Sequence, residues 1–523
     1  MMSEDTARAI ADGYRFEGAA LELGAVQIDG EVATGQQVRV PLAMLNRHGL
    51  VAGATGSGKT KTLQLLAEQL SAAGVPVVMA DVKGDLSGLA KPGEPGEKIE
   101  ERARQVGDDW SAAGFPVQFL SLGAGGKAVP VRATITSFGP VLLSKVLGLN
   151  DTQESTLGLI FHWADSKGLE LLDTKDLRAV IQHLLSDEGK ADLKGIGGVS
   201  TATAGVILRA LVNLEAQGAD TFFGEPEIEI ADLIRREGAQ GVISLLELDE
   251  LAGKPALFST FLMWLLAELF HELPEVGDIE KPELVFILDE AHLVFADASK
   301  AFLEQVEQTV KLIRSKGVGV LFCTQLPTDI PNTVLSQLGA RVQHVIRAFT
   351  PDDQKALRQT AKTYPVSEVY DIERALTSLG TGEAIVTVLS ETGAPTPVAW
   401  TKLRAPRSLM GSIGAAAVTE AANASPLSAK YAETVDSESA YEKLQDEETP
   451  AESDSPAGQE KPAGDNEKPA DGEKPAGKSE KEDPGLVAQA MANPAVRSFL
   501  RSTASSIGRE ITRSVFGTSR RRR

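Results

Sequence analysis

At 523 residues the chain has room for two to four domains, and a make-up of 42% hydrophobic and 24% charged residues is that of an ordinary globular protein. A single cysteine, Cys323, excludes a disulfide framework and a cysteine-rich metal site; the acidic start lacks an apolar leader, and no apolar run is long enough for a bilayer, so a cytoplasmic protein with no integral membrane segment is expected. The formal charge of −21 is uneven, with −18 over residues 1–429, −10 over 430–485 and +7 over 486–523, so the body has no global attraction for a phosphate backbone and any nucleic-acid contact must come from local basic loops or the C-terminal end.

Residues 1–46 form a short N-terminal segment in which 21–40 read as a small hairpin. The first part of the core covers 47–136. Residues 49–52 read as a short buried strand, and the next eight, Gly53, Ala54, Thr55, Gly56, Ser57, Gly58, Lys59 and Thr60, fit the phosphate-cradling pattern G-x-x-x-x-G-K-[ST]. Leu63, Leu66, Ala67 and Leu70 then recur at helical spacing, with Thr62 in the first turn among the binding residues. A strand, a glycine turn and a helix N-terminus give converging N–H groups and the positive end of a helix dipole to a triphosphate such as ATP. Lys59 would neutralise the β- and γ-phosphates and the Thr60 hydroxyl would ligate Mg²⁺.

Residues 75–80 read as a parallel strand ending at Asp81, followed by Lys83, Gly84 and Asp85. Polar residues at such a strand end face the ligand crevice, so Asp81 and Asp85 are site candidates; acids that merely shape the turn are the other reading. Residues 117–120 are a further strand. Over 137–236 the periodicity becomes helical, with helices at 139–147, 152–164, 175–185, 200–216 and 229–236, an all-α insertion. Inside it, residues 221–226 form an exposed-looking aromatic turn suited to packing.

The second part of the core, 237–408, opens with a strand at 241–246 and an apolar helix at 256–271. Residues 283–290 are an apolar strand ending in Asp289 and Glu290. As partner of the glycine loop, Asp289 would hold Mg²⁺ and Glu290 would orient and deprotonate the attacking water. His292 completes a helicase-like spelling but reads as a helix-start residue. A helix at 301–314 and a strand at 318–324 follow, ending at Gln325, an amide placed to sense the γ-phosphate or the water. A strand at 342–346, a helix at 351–360 and a last hairpin ending near Trp400 complete the core. Arg314, Arg341 and Arg347 lie after the acid pair, where a neighbouring subunit's site could use one of them. Residues 409–485, acidic and carrying a repeated Glu-Lys-Pro-Ala, read as a disordered linker; 486–523 read as a basic amphipathic helix.

Together these motifs resemble the HerA/FtsK branch of P-loop ATPases, and more closely the bacterial HerA-like family typified by YjgR. The residues that carry the likeness are Gly53 to Thr60, the runs 80–89, 130–134, 149–154 and 220–226, the acid pair within 288–292, and Thr324-Gln325-Leu326-Pro327. The resemblance implies a fold that is α/β, a RecA-like P-loop NTPase sheet with the all-α insertion, linker and terminal helix appended. It implies Mg·ATP hydrolysis and a homo-oligomeric ring, often a hexamer. It supports Gln325 as sensor and Arg314 as an arginine acting across subunits. HerA proper carries an N-terminal β-barrel that engages a nuclease; here fewer than about fifty residues precede the loop strand, which argues against a nuclease partner. The expected function is a ring-forming motor coupling ATP hydrolysis to DNA translocation or remodelling. The alternative is a nucleotide-gated scaffold or switch that recruits a protein or membrane through its C-terminal tail.

Overall fold

The structure, a computed structural model, describes residues 2–448 except 124–125, 249–254, 278 and 296–299. Its strands are β1 (Ala20–Ile28), β2 (Glu31–Pro41), β3 (Gly49–Ala52), β4 (Val77–Asp81), β5 (Val117–Leu122), β6 (Val129–Val131), β7 (Arg236–Glu237), β8 (Gln240–Gly241), β9 (Ile243–Glu247), β10 (Leu284–Leu288), β11 (Val318–Thr324), β12 (Ala340–Gln343), β13 (Glu383–Thr387) and β14 (Ala399–Leu403). All but β7 and β8, which pair as a small hairpin, join one twelve-stranded sheet in the order β2-β1-β14-β13-β12-β3-β11-β10-β4-β9-β5-β6. The eight strands from β12 to β6 run parallel, and the other four continue the sheet antiparallel.

Every residue of β3, β4, β10 and β11 is buried. Strands covered on both faces need apolar side chains at successive positions, which is why their sequences run Val-Val-Met-Ala and Leu-Val-Phe-Ile-Leu without alternation. The N-terminal segment contributes more than an isolated hairpin. β1 pairs with β14 and extends the main sheet, while a helix at Met2–Asp12 leads to Tyr14, fully buried with its hydroxyl 2.6 Å from the Pro397 carbonyl.

Between β6 and the β7–β8 hairpin the chain is helical. The main helices are Ile135–Val146, Asp151–Lys167, Thr174–Leu185 and Thr201–Glu215. Asn150 and Gln153 cap the second of them reciprocally, which accounts for the run at 149–154. The expected helix at 229–236 shrinks to Ile230–Leu233, because Arg236 is already in the hairpin. The aromatic turn at 221–226 is not exposed. Phe222 and Phe223 are buried, with ring centroids 6.0 Å from Phe261 and 5.5 Å from Phe138 respectively, and so lock the insertion onto the core.

The expectation that order ends at 408 is corrected. Helices Ala415–Ala424, Ser428–Tyr431 and Ala440–Glu448 pack on the body. Tyr431 is fully buried and the Arg132 guanidinium donates to its carbonyl at 2.9 Å. A few anchors, Val418, Leu427, Tyr431 and Leu444, suffice for a segment whose composition looks like linker. The rest of the acidic linker and the basic amphipathic helix at 486–523 lie outside the described residues. Among the described residues no helix is long and apolar enough to cross a membrane.

Candidate active site

The glycine loop leaves the C-terminal end of β3 and feeds the helix Lys59–Ala72. Gly53, Gly56 and Gly58 have φ of +149°, +77° and +111°. At Gly53 a Cβ would stand 2.5 Å from the Cβ of His344, so no other residue fits there. Neighbouring elements clamp the loop: Ala54 N donates to Val345 O at 2.8 Å and Gly382 N to Ser57 O at 3.0 Å. Thr55 and Gly56 form its exposed crest. Lys59 is buried, and its ammonium folds back onto the carbonyls of Gly53 at 2.6 Å and Ala54 at 3.3 Å. The first-turn N–H groups of the helix, those of Lys59 and Thr60 included, have no partner within the helix and remain for an anion. Thr62 is buried with its hydroxyl 2.9 Å from Nε2 of His344, a support for the loop. Burial, then the charge of Lys59, pushes the His344 pKa down to about 4, so the ring is neutral.

The acid pair follows β10, which sits two places from β3 with β11 between them. The intervening β11 brings Thr324 and Gln325 between loop and acids. Asp289 and Glu290 are both buried. Glu290 has φ +48°, a left-handed turn in which its N–H donates to Asp289 Oδ1 at 2.9 Å and the next amide, Ala291, to the Cys323 carbonyl at 2.7 Å. Burial raises the Asp289 pKa. Burial, then the negative charge of Asp289, raises the Cys323 thiol well above its usual range, while the positive charge of Lys59 opposes this. β3 ends at Ala52 opposite Thr324 and β10 at Leu288 opposite Phe322, so loop and acid pair both leave the C-terminal ends of parallel strands that flank β11.

The turn after β4 closes on the same acids. Asp81 is buried and accepts from the backbone N–H groups of Lys83, Gly84 and Leu86 at 3.1, 2.8 and 2.8 Å, so it shapes the turn and is not open to a ligand. Burial pushes its pKa up to about 6. The turn delivers Lys83 onto Oε1 of Glu290, an ion pair the sequence did not announce. Asp85 Oδ1 is buried without a hydrogen-bond partner beside this group.

Two cavities flank the loop strand. One, of about 200 Å³, is lined by Gly58, Lys61 and Thr62 of the loop helix and by Ile99, Pro406 and Met410. Its outer wall is fixed to the same helix: Glu68 accepts from Arg407 N at 2.9 Å, and Gln64 donates to Ser408 Oγ at 2.7 Å. The other, about 630 Å³, collects Arg47, Lys311, Arg314 and Arg341. Arg47 precedes β3, Lys311 and Arg314 precede β11, and Arg341 is the second residue of β12, so the cavity lies at the N-terminal ends of these strands, about 13 Å from the glycine loop along four residues of strand. Arg314 is therefore remote from its own chain's loop. Gln325 is exposed just past β11, and Arg347 is exposed past β12.

Residues 27–523 match the family described as Helicase HerA-like C-terminal. The chain is 33% identical over 154 residues to the probable helicase MJECL08 of Methanocaldococcus jannaschii, covering 28% of each. It is 22% identical over 371 residues to the DNA double-strand break repair helicase HerA of Sulfolobus acidocaldarius, covering 69% of this chain and 66% of that one. The chain thus spans less than two thirds of the length of either relative. Among solved structures, plasmid coupling protein TrwB with a non-hydrolysable ATP analogue shares the fold, with a TM-score of 0.50 at 17% identity over 78% of this chain and 95% of that one. A family match running through every site element above places this chain among the HerA/FtsK-type P-loop ATPases, in the helicase HerA-like C-terminal family.

Proposed function

We propose that the chain hydrolyses ATP with Mg²⁺ and, as a ring of identical subunits in the cytoplasm, couples hydrolysis to translocating or remodelling DNA. The observation that carries this reading is a set of buried polar atoms without hydrogen-bond partners, Ser57 Oγ in the loop and Asp289 Oδ2 and Glu290 Oε2 past the end of β10, together with a lysine that spends its ammonium on its own loop. Buried polar groups are normally satisfied, so a cluster of orphans beside a phosphate-type loop fits a missing anion and cation. Thr60 and Asp289 would hold Mg²⁺, which supplies charge neutralisation at the β- and γ-phosphate oxygens. Lys59 leaves the Gly53 carbonyl for the phosphates. Glu290 accepts a proton from the water whose oxygen bonds to the γ-phosphorus as the bond to ADP breaks. Gln325 orients that water. The nucleobase takes the cavity beside Thr62, between Ile99 and the Pro406–Met410 wall.

Assembly into a ring is supported by the position of Arg314. Lying at the far end of the strands from its own loop, it serves catalysis only at a neighbour's site. DNA as the polymer is supported by the names of the helicase relatives. The deciding experiment is the ATPase rate of the full chain with and without single- and double-stranded DNA at two salt concentrations, alongside the mass of the assembly. Turnover that DNA stimulates more at low salt is expected, with Lys59→Ala inactive and Glu290→Gln binding ATP without turnover. A rate indifferent to DNA at low salt sinks the motor and favours the nucleotide-gated switch, a reading supported by the charge of −18 on the body.

A further inference from the structure

The turn that Asp81 builds is held by three backbone hydrogen bonds and bent through Gly84 at φ +70°. Its product is the placement of Lys83. The lysine side chain is 45% exposed while the Glu290 side chain it meets is 8% exposed, so the ammonium reaches inward from the surface to a buried carboxylate. That carboxylate is unevenly used. Oε1 takes Lys83, whereas Oε2 has no hydrogen bond and lies 3.3 Å from Nδ1 of His292. The left-handed backbone at Glu290 already fixes the direction from which the side chain leaves the strand. What remains free is rotation about the three side-chain torsions, and an ion pair at one oxygen restrains where the carboxylate sits.

We propose that Lys83 is a positioning residue for hydrolysis: by holding Oε1 of Glu290 it presents Oε2 as the oxygen that takes the proton of the attacking water. Asp81 acts one step further out, by holding Lys83. The inference rests on the reading of Glu290 as general base. It also gives the run at 80–89 a role distinct from phosphate contact. Were Lys83 instead a phosphate ligand, its loss would weaken nucleotide binding. As a positioning residue it acts on turnover alone.

The test uses the full chain and compares wild type, Lys83→Met, Lys83→Gln and Lys83→Arg for ATP turnover and for affinity toward a non-hydrolysable ATP analogue. Lys83→Met should lower kcat roughly 10- to 100-fold, the usual effect of removing a group that orients a catalytic one. KM and analogue affinity should stay within about twofold, because binding is left intact. Lys83→Gln, polar and uncharged, guards against a folding defect and should lose as much. Lys83→Arg, which keeps a cation at that oxygen, should recover most of the rate. Combining Lys83→Met with Glu290→Gln should cost no more than Glu290→Gln alone, since the two act as one unit. A Lys83→Met chain with wild-type or faster turnover, or one whose analogue affinity falls in step with kcat, overturns the inference and leaves the ATPase reading standing. A wild-type chain that binds ATP without hydrolysing it overturns the base assignment and this inference with it.

Discussion

His48 shows how a single side chain ties the loop strand to its surroundings. It has φ +60°, is buried, accepts from Val320 N at Nδ1 over 3.1 Å, and lies 2.7 Å from the Val310 carbonyl at Nε2. Only the neutral ring with its proton on Nε2 makes both bonds. Burial, and then the charge of Arg314, pushes its pKa down to about 4. A depressed histidine contributes stability that is complete above the unfolded value near 6.5 and is lost as pH falls towards 4, up to about 3 kcal/mol for this one group. Glu68 and Asp81 oppose it. Burial raises them to about 7 and about 6, and the folded state gains stability as they protonate. The contribution of His48 therefore emerges as a difference. His48→Asn should be about 1 kcal/mol less stable at pH 7.5 for one lost hydrogen bond. The gap in urea-unfolding stability between wild type and variant should then close, and can reverse, as pH falls from 6.5 to 4. At this scale the sequence singles out residues whose proposed chemistry is spelled locally, Lys59 and Asp289 among them. It did not reveal Lys83 or His344, because their partners lie 207 and 282 positions away.

The glycine loop and the C-terminal helices are the elements whose behaviour is easiest to break selectively. Gly53→Ala should abolish nucleotide binding and lower the melting temperature, since its Cβ collides with His344 and the adjoining backbone. Gly56→Ala has open space, so its cost should be only the left-handed backbone, about 1–2 kcal/mol, measurable by thermal melting. Truncation after residue 408 should destabilise the body markedly relative to truncation after 448, because it uncovers Arg132, Asp176 and the packing around Tyr431. Circular-dichroism melts of the two truncated chains would show it. The core strands were legible as apolar runs between turn residues. β6 was missed because three residues carry no period. The helices after 414 were missed because alanine and acidic residues outnumber the few side chains that anchor them.

At the scale of the whole molecule the parallel sheet separates two chemistries, a phosphate-type loop at the C-terminal ends of its central strands and a cluster of cations at their N-terminal ends. Neither end can serve the other within one subunit. If Arg314 completes a neighbour's site, Arg314→Ala and Lys59→Ala chains should each lack ATPase activity, yet a mixture allowed to exchange subunits should regain part of it. Recovery should peak near equal amounts; a mixture as inactive as its parts would place the arginine outside catalysis. β11 runs through the middle of this division and carries Cys323, the sole thiol of the chain, fully buried. A sulfhydryl reagent therefore finds nothing to modify until the centre of the sheet parts, and one alkylated sulfur then marks one opened subunit. The chain carries its own chemical clock for core opening, and any nucleotide that binds only the closed form must slow it.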